Sequence, residues 1–146
     1  MADLGLLVPH ADAVLTLLYA DPDLTVFPAA NGGPNVVPNG QLPPYVSVHF
    51  VAARPLRRLS MRSVGFLLRA HIHCVGASDL AARLVSDLVA SALIDVRPDV
   101  PGRACSPIQM DSENQRPPAV DQSTGFTTVT ITDVYRIYSE PGRDGS

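Results

Sequence analysis

The sequence predicts an α+β fold: a mostly antiparallel sheet of about four strands with two helices packed on one face. Three observations carry this expectation. Through RSVGFLLRAHIHCV, Val64, Phe66, Leu68, Ala70, Ile72 and Cys74 point one way while Arg69, His71 and His73 point the other, the period-2 pattern of a half-buried strand. Two further stretches, Tyr45 to Ala53 and Phe126 to Tyr138, have strand composition. Helical periodicity appears only twice, with no regular alternation of strand and helix that would build a parallel sheet.

The elements follow in order. Pro9 suits the first turn of a helix, with Ala11, Val14, Leu15 and Leu18 as its apolar stripe and Asp21-Pro22 as its stop. Leu24 to Phe27 reads as a short edge strand. The stretch 28–44 is dense in Asn-Gly, Gly-Gly and Pro and reads as a long loop. Tyr45 to Ala53 alternates Val46, Val48 and Phe50 against Ser47 and His49, and forms an antiparallel hairpin with the long strand after it. Gly76-Ala77-Ser78 turns the chain into a second helix to about Leu93. Ser78 is its N-cap and Asp79 lies in its first turn. Its stripe is Leu80, Ala81, Leu84, Val85, Leu88, Ala92 and Leu93. This helix reads as core, with one end of the stripe open to sharing with a neighbour.

The region from Ile94 to Gly125 is too long for a structureless connection in a compact domain. It holds a weak strand around Ala104 to Met110 and an exposed excursion over 111–125. A last long strand runs from Phe126 to Tyr138, and 140–146 is a polar tail.

The whole chain, 1–146, reads as one domain; at this length a domain buries about 68–70% of its unfolded surface. With no Trp and few aromatics, the core rests on Leu, Val, Ala and Ile. Most of the 14 prolines cluster between Pro28 and Pro55 and between Pro98 and Pro118, which marks two long connections. A net charge of −3 gives no general reason to expect nucleic-acid binding. The local exception is Arg54, Arg57, Arg58 and Arg62, four arginines in nine residues. They form either a solvated loop or a contact with an acidic partner. Two cysteines make no disulfide scaffold; Cys74 sits on an apolar face as a buried thiol, and whether Cys105 lies near it is open. The N-terminus lacks the pattern of a signal peptide and no run approaches a membrane span, so a cytoplasmic site of synthesis is expected.

Catalytic equipment is not visible. His71 and His73 share a strand face, and His49 on the neighbouring strand could complete a metal site. The simpler reading is a polar sheet face, because Cys74 points away. Asp21, Asp23, Asp95, Asp99, Asp111 and Glu113 read as turn and cap residues. Ser60, Ser63, Ser78, Ser106 and Ser123 lack a nucleophile-elbow context. Gly32, Gly33 and Gly40 sit in no strand–glycine–helix unit.

The run HIHCVGASDLAARLVSDLVASAL resembles the centre of the tail terminator proteins of long-tailed phages infecting actinobacteria, also described as minor tail or head-to-tail joining proteins. PYVSVHFV upstream, VRPDVPGRACSPIQMD downstream and the late TTVTITDVYRIY occur in the same order, so the resemblance covers about Pro9 to Tyr138. It implies an α+β structural protein without catalytic residues or cofactor. Such a protein assembles as a ring, typically a hexamer, that caps the tail tube, ends its polymerisation and presents a surface to the neck. The implied partners are other copies, the tube protein and a head-to-tail connector or stopper protein. The implied location is the virion, after assembly in the host cytoplasm. The 111–125 stretch and the arginine-rich loop depart from the family pattern. On this reading Arg54, Arg57, Arg58 and Arg62 face acidic groups of the tube protein or of DNA passing through the lumen. The rival readings are another neck component, a head-completion or stopper protein, and a small metal-dependent enzyme using His49, His71 and His73.

Overall fold

A computed structural model of the chain describes residues 2–28, 41–52, 65–111, 118–121 and 127–142, with side chains described from Leu7 onward. The chain order is α1 (Ala2–Tyr19), β1 (Val26–Pro28), β2 (Tyr45–Ala52), β3 (Phe66–Gly76), α2 (Asp79–Leu93), β4 (Arg103–Cys105), β5 (Gln109–Met110), β6 (Ala119–Asp121) and β7 (Thr128–Pro141). Among the described residues seven strands form one sheet, so the class is as expected and the expectation of about four strands is an undercount. The additional strands are two or three residues long, too short to register as a period in sequence.

β3 is the axis of the sheet. It pairs antiparallel with β2 from Tyr45 opposite Val75 to Ala52 opposite Leu68. On its other edge it pairs with β7 from Phe66 opposite Ser139 to Gly76 opposite Val129. β1 lies parallel to β2, which demands a crossover of a dozen or more residues, and the stretch 29–44 supplies that length. The other edge of β7 is lined in succession by β4, β5 and β6. The weak strand expected over Ala104 to Met110 is thus two short strands. Part of the expected 111–125 excursion, Ala119–Asp121, is a strand, while 112–117 and 122–126 lie outside the described residues. The last strand runs on to Pro141, so Glu140 and Pro141 belong to the sheet rather than to a polar tail. They are held there by pairing with Ala104 and Arg103.

One face of β3 makes the core. Phe66, Leu68, Ala70, Ile72 and Cys74 are buried with Val14 and Leu18 of α1, Val85, Val89 and Leu93 of α2, and Tyr135 and Ile137 of β7. Both helices therefore lie on one face, as the alternation required. Each of the larger apolar side chains contributes roughly 1.5–3 kcal/mol on burial.

α1 begins well before Pro9, which lies inside the helix. A proline there has no N–H to give to the preceding turn. The packing of His10, Val14 and Leu18, one turn apart and fully buried, holds the helix across that defect. α2 starts as expected: Ser78 is extended, and its Oγ accepts the Ala81 N–H at 3.1 Å. It ends by turning at Asp95, whose φ of 64° is left-handed. Its stripe is rotated from the expected one. The buried line is Ala82, Val85, Val89 and Leu93, while Leu80 and Leu84 are 68% and 57% exposed. Gly76 explains the rotation, because α2 passes so close to it that a Cβ there would overlap the backbone of Ala81 and Ala82. That contact turns the Ala82 side of the helix to the sheet.

Candidate functional site

Among the described residues, two surfaces and one buried contact hold the chemistry-bearing side chains. The first is the sheet face away from the helices. His49 stands directly opposite His71, and Ser47 opposite His73. The His49 and His71 rings stack at 4.7 Å, nearly parallel, and His49 and His73 stack at 5.2 Å. His73 Nε2 and His49 Nδ1 share a hydrogen bond of 3.3 Å, while His73 Nδ1 bonds Thr132 Oγ1 at 2.9 Å. The structure thus gathers all three histidines that the sequence singled out. Cys74 points into the core, as its place in the alternation requires. Among the described residues, no group of three or more His, Cys, Asp or Glu side chains is arranged to hold a metal ion. On the same face Arg69 Nε meets Asp111 at 3.2 Å; the carboxylate is buried and the arginine half-exposed.

The second surface is a cleft of about 500 Å³ between α2 and the edge of β7, lined by Arg83, Ser86, Asp87, Met110, Pro118, Ile131 and Asp133. It lies where β7 passes from β5 to β6, since Met110 pairs with Tyr135 and Ala119 with Thr130. Ser86 Oγ donates to Asp133 Oδ2 at 2.6 Å, fixing that carboxylate beneath the helix. Arg83 turns back to Asp79 at 2.8 Å, the ordering of charges that favours a helical pair, and so leaves Asp87 on the outer face. Met110 and Ile131 give the cleft an apolar part.

The third feature was not visible in sequence. His10 of α1, fully buried, bonds Ser139 Oγ at 2.7 Å, and Arg103 Nε donates to the same oxygen at 3.1 Å. A serine beside a histidine is the start of a nucleophile-and-base arrangement. Here both are wholly buried, so no substrate reaches the hydroxyl. The contact ties α1 to β7. A lone His in a helical stripe carries no signal that its partner lies in the last strand.

Cys74 and Cys105 are both free and buried. Burial, reinforced by the nearby Asp133 charge, pushes the Cys74 thiol far above its ordinary range. Burial also pushes Cys105 up, with Arg103 pulling the other way. Arg54, Arg57, Arg58 and Arg62 lie outside the described residues. Among the described residues no helix is long and apolar enough to cross a membrane.

The family described as Tail completion protein gp17 matches residues 12–131. The chain belongs to that family. The match runs from within α1, through β1 to β6 and α2, to Ile131 near the start of β7. Tail completion proteins are structural proteins of the phage virion and are not known as enzymes. Among solved structures, the chain is similar to a chain of the "Virion of native gene transfer agent (GTA) particle". The two are 17% identical with a TM-score of 0.60, over 88% of this chain and 92% of that one, which is a likeness of fold. No curated protein matches the chain.

Proposed function

We propose that copies of this tail completion protein close into a ring, a hexamer, on the end of a finished tail tube in a long-tailed actinobacteriophage. There the ring halts tube polymerisation and joins the tail to the head. The single observation that carries this reading is the family match over residues 12–131, from within the first helix to the start of the last strand. The surfaces are consistent with it. A rigid two-layer body bearing apolar and charged patches away from its core suits repeated contacts around an axis. Its partners are then other copies of itself, the tube protein and the head-to-tail connector or stopper, with genomic DNA passing through the lumen. The protein is made in the host cytoplasm and resides in the virion. Arg54, Arg57, Arg58 and Arg62 belong to this assembly as a contact with acidic groups.

Deleting the gene tests the role. Loss of a terminator gives over-long tails in electron micrographs. Filled heads that leak DNA, with tails of ordinary length, would instead show a stopper or head-completion protein. Light scattering on the purified protein, alone and with tail tubes, gives the number of copies in the ring.

A further inference from the structure

We infer that the outer face of α2 receives the arginine-rich segment 53–64 of a neighbouring copy, so that the subunit contact in the ring is head-to-tail. The inference rests on the ring reading above and names the contact that closes it.

Two features of α2 demand an occupant. Leu80 and Leu84 lie one turn apart on the side of the helix opposite its buried line, 68% and 57% exposed. The cleft beside them adds Met110 and Ile131 with the carboxylates of Asp87 and Asp133. Asp79 has already engaged Arg83, the single basic residue of the helix, leaving an acid-bordered apolar strip. The complementary sequence is in the same chain. Arg54-Pro-Leu-Arg-Arg-Leu-Ser-Met-Arg62 interleaves Leu56, Leu59 and Met61 with four arginines, and contains no acid. Arginine suits such a surface because its planar fork binds carboxylates in pairs while its stem covers apolar area.

Chain length makes this a contact between copies. The segment leaves the body at Ala52 and returns at Gly65 and Phe66. Six extended residues out and back reach about 20 Å. α2 begins at the other end of β3, where Gly76 touches Ala81 and Ala82. The ten steps from Phe66 to Gly76 span about 33 Å. The segment therefore falls short of Leu80 on its own subunit. Donor and acceptor at opposite ends of one molecule make a heterologous contact, the kind that closes into rings.

The test is a cysteine pair, Leu59→Cys with Leu84→Cys, in the full chain. Both native thiols are buried and give little background. Mild oxidation should give a ladder of disulfide-linked multimers from the double variant and at least tenfold less from either single variant. In parallel, Asp87→Arg and the pair Arg57→Asp, Arg58→Asp should each reduce the assembled fraction at least tenfold by light scattering. Combining all three should restore it, with circular dichroism confirming folded protein throughout. An intrachain disulfide, or no ladder, overturns the inference. So does an Asp87→Arg variant that assembles normally while the arginine variant loses only binding to tail tubes or to DNA. A wild-type ring with neither cross-link nor charge dependence overturns this contact and leaves the ring reading standing. A wild-type monomer overturns both.

Discussion

His10 and Ser139, 129 positions apart, meet through a 2.7 Å hydrogen bond sealed from solvent. Ser139 Oγ also accepts from Arg103 Nε at 3.1 Å. The His10 ring also packs on Phe66 at 4.6 Å. Replacing His10 with Ala removes that packing and leaves the hydroxyl short of a partner. The expected loss is about 2–4 kcal/mol of stability, measured by urea unfolding. The loss should be accompanied by faster hydrogen exchange in α1.

Tyr135 presents the opposite case. Its ring fills the core, yet its hydroxyl is buried without a hydrogen-bond partner among the described residues. Removing an unsatisfied polar atom recovers its desolvation cost. Tyr135→Phe should therefore be neutral or stabilising by up to about 1–2 kcal/mol, read as an unchanged or higher urea midpoint. A clear loss of stability would show that the hydroxyl is bonded.

Gly76 is set by approach. A Cβ there would meet the backbone of α2 at Ala81 and Ala82, which cannot yield as a flexible side chain can. Gly76→Ala should cost about 1–3 kcal/mol by forcing the helix off the sheet. It should also change the exposure of Leu80 and Leu84, detectable by footprinting.

Alkali should weaken the fold. The folded-state pKa of the Cys74 thiol lies above its unfolded value because burial penalises the thiolate. Its contribution is complete below the unfolded thiol pKa of about 8.5 and is lost as pH rises beyond it. The Tyr135 phenol is raised for the same reason and adds a loss above about pH 10. Melting temperature should be flat from this source up to about pH 8 and fall above it. Cys74→Ala should flatten the first part of that fall, at some cost in packing.

The long elements were legible because their periods are long enough to read. Eleven residues of β3 and fifteen of α2 carry the alternation and the helical stripe across several repeats. The short strands β4, β5 and β6 hold two or three residues each and exist because β7 offers an edge to pair with. That is a tertiary cause, absent from local sequence. The rotation of α2 has the same kind of origin. Leu80 and Leu84 look like core by spacing, but the contact at Gly76 settles which side faces inward. Among the site residues, the grouping of His49, His71 and His73 followed from alternation and hairpin register. The cleft did not, since its walls come from α2 and from strands too short to foresee. The His10–Ser139 tie needed knowledge of which helix face meets which strand end.

The position of β7 in the chain has a consequence for timing. It is the last of the described elements, yet it supplies the pairing edge for β3 on one side and for β4, β5 and β6 on the other. A ribosome adding roughly 5–20 residues per second exposes everything upstream before that strand emerges. Until then β3 has half its backbone ladder open, and three strands have nothing to zip onto. Completion of the sheet is therefore expected to wait until Thr128 to Pro141 have been made, and a nascent chain stalled before Thr128 should be the natural target of a chaperone.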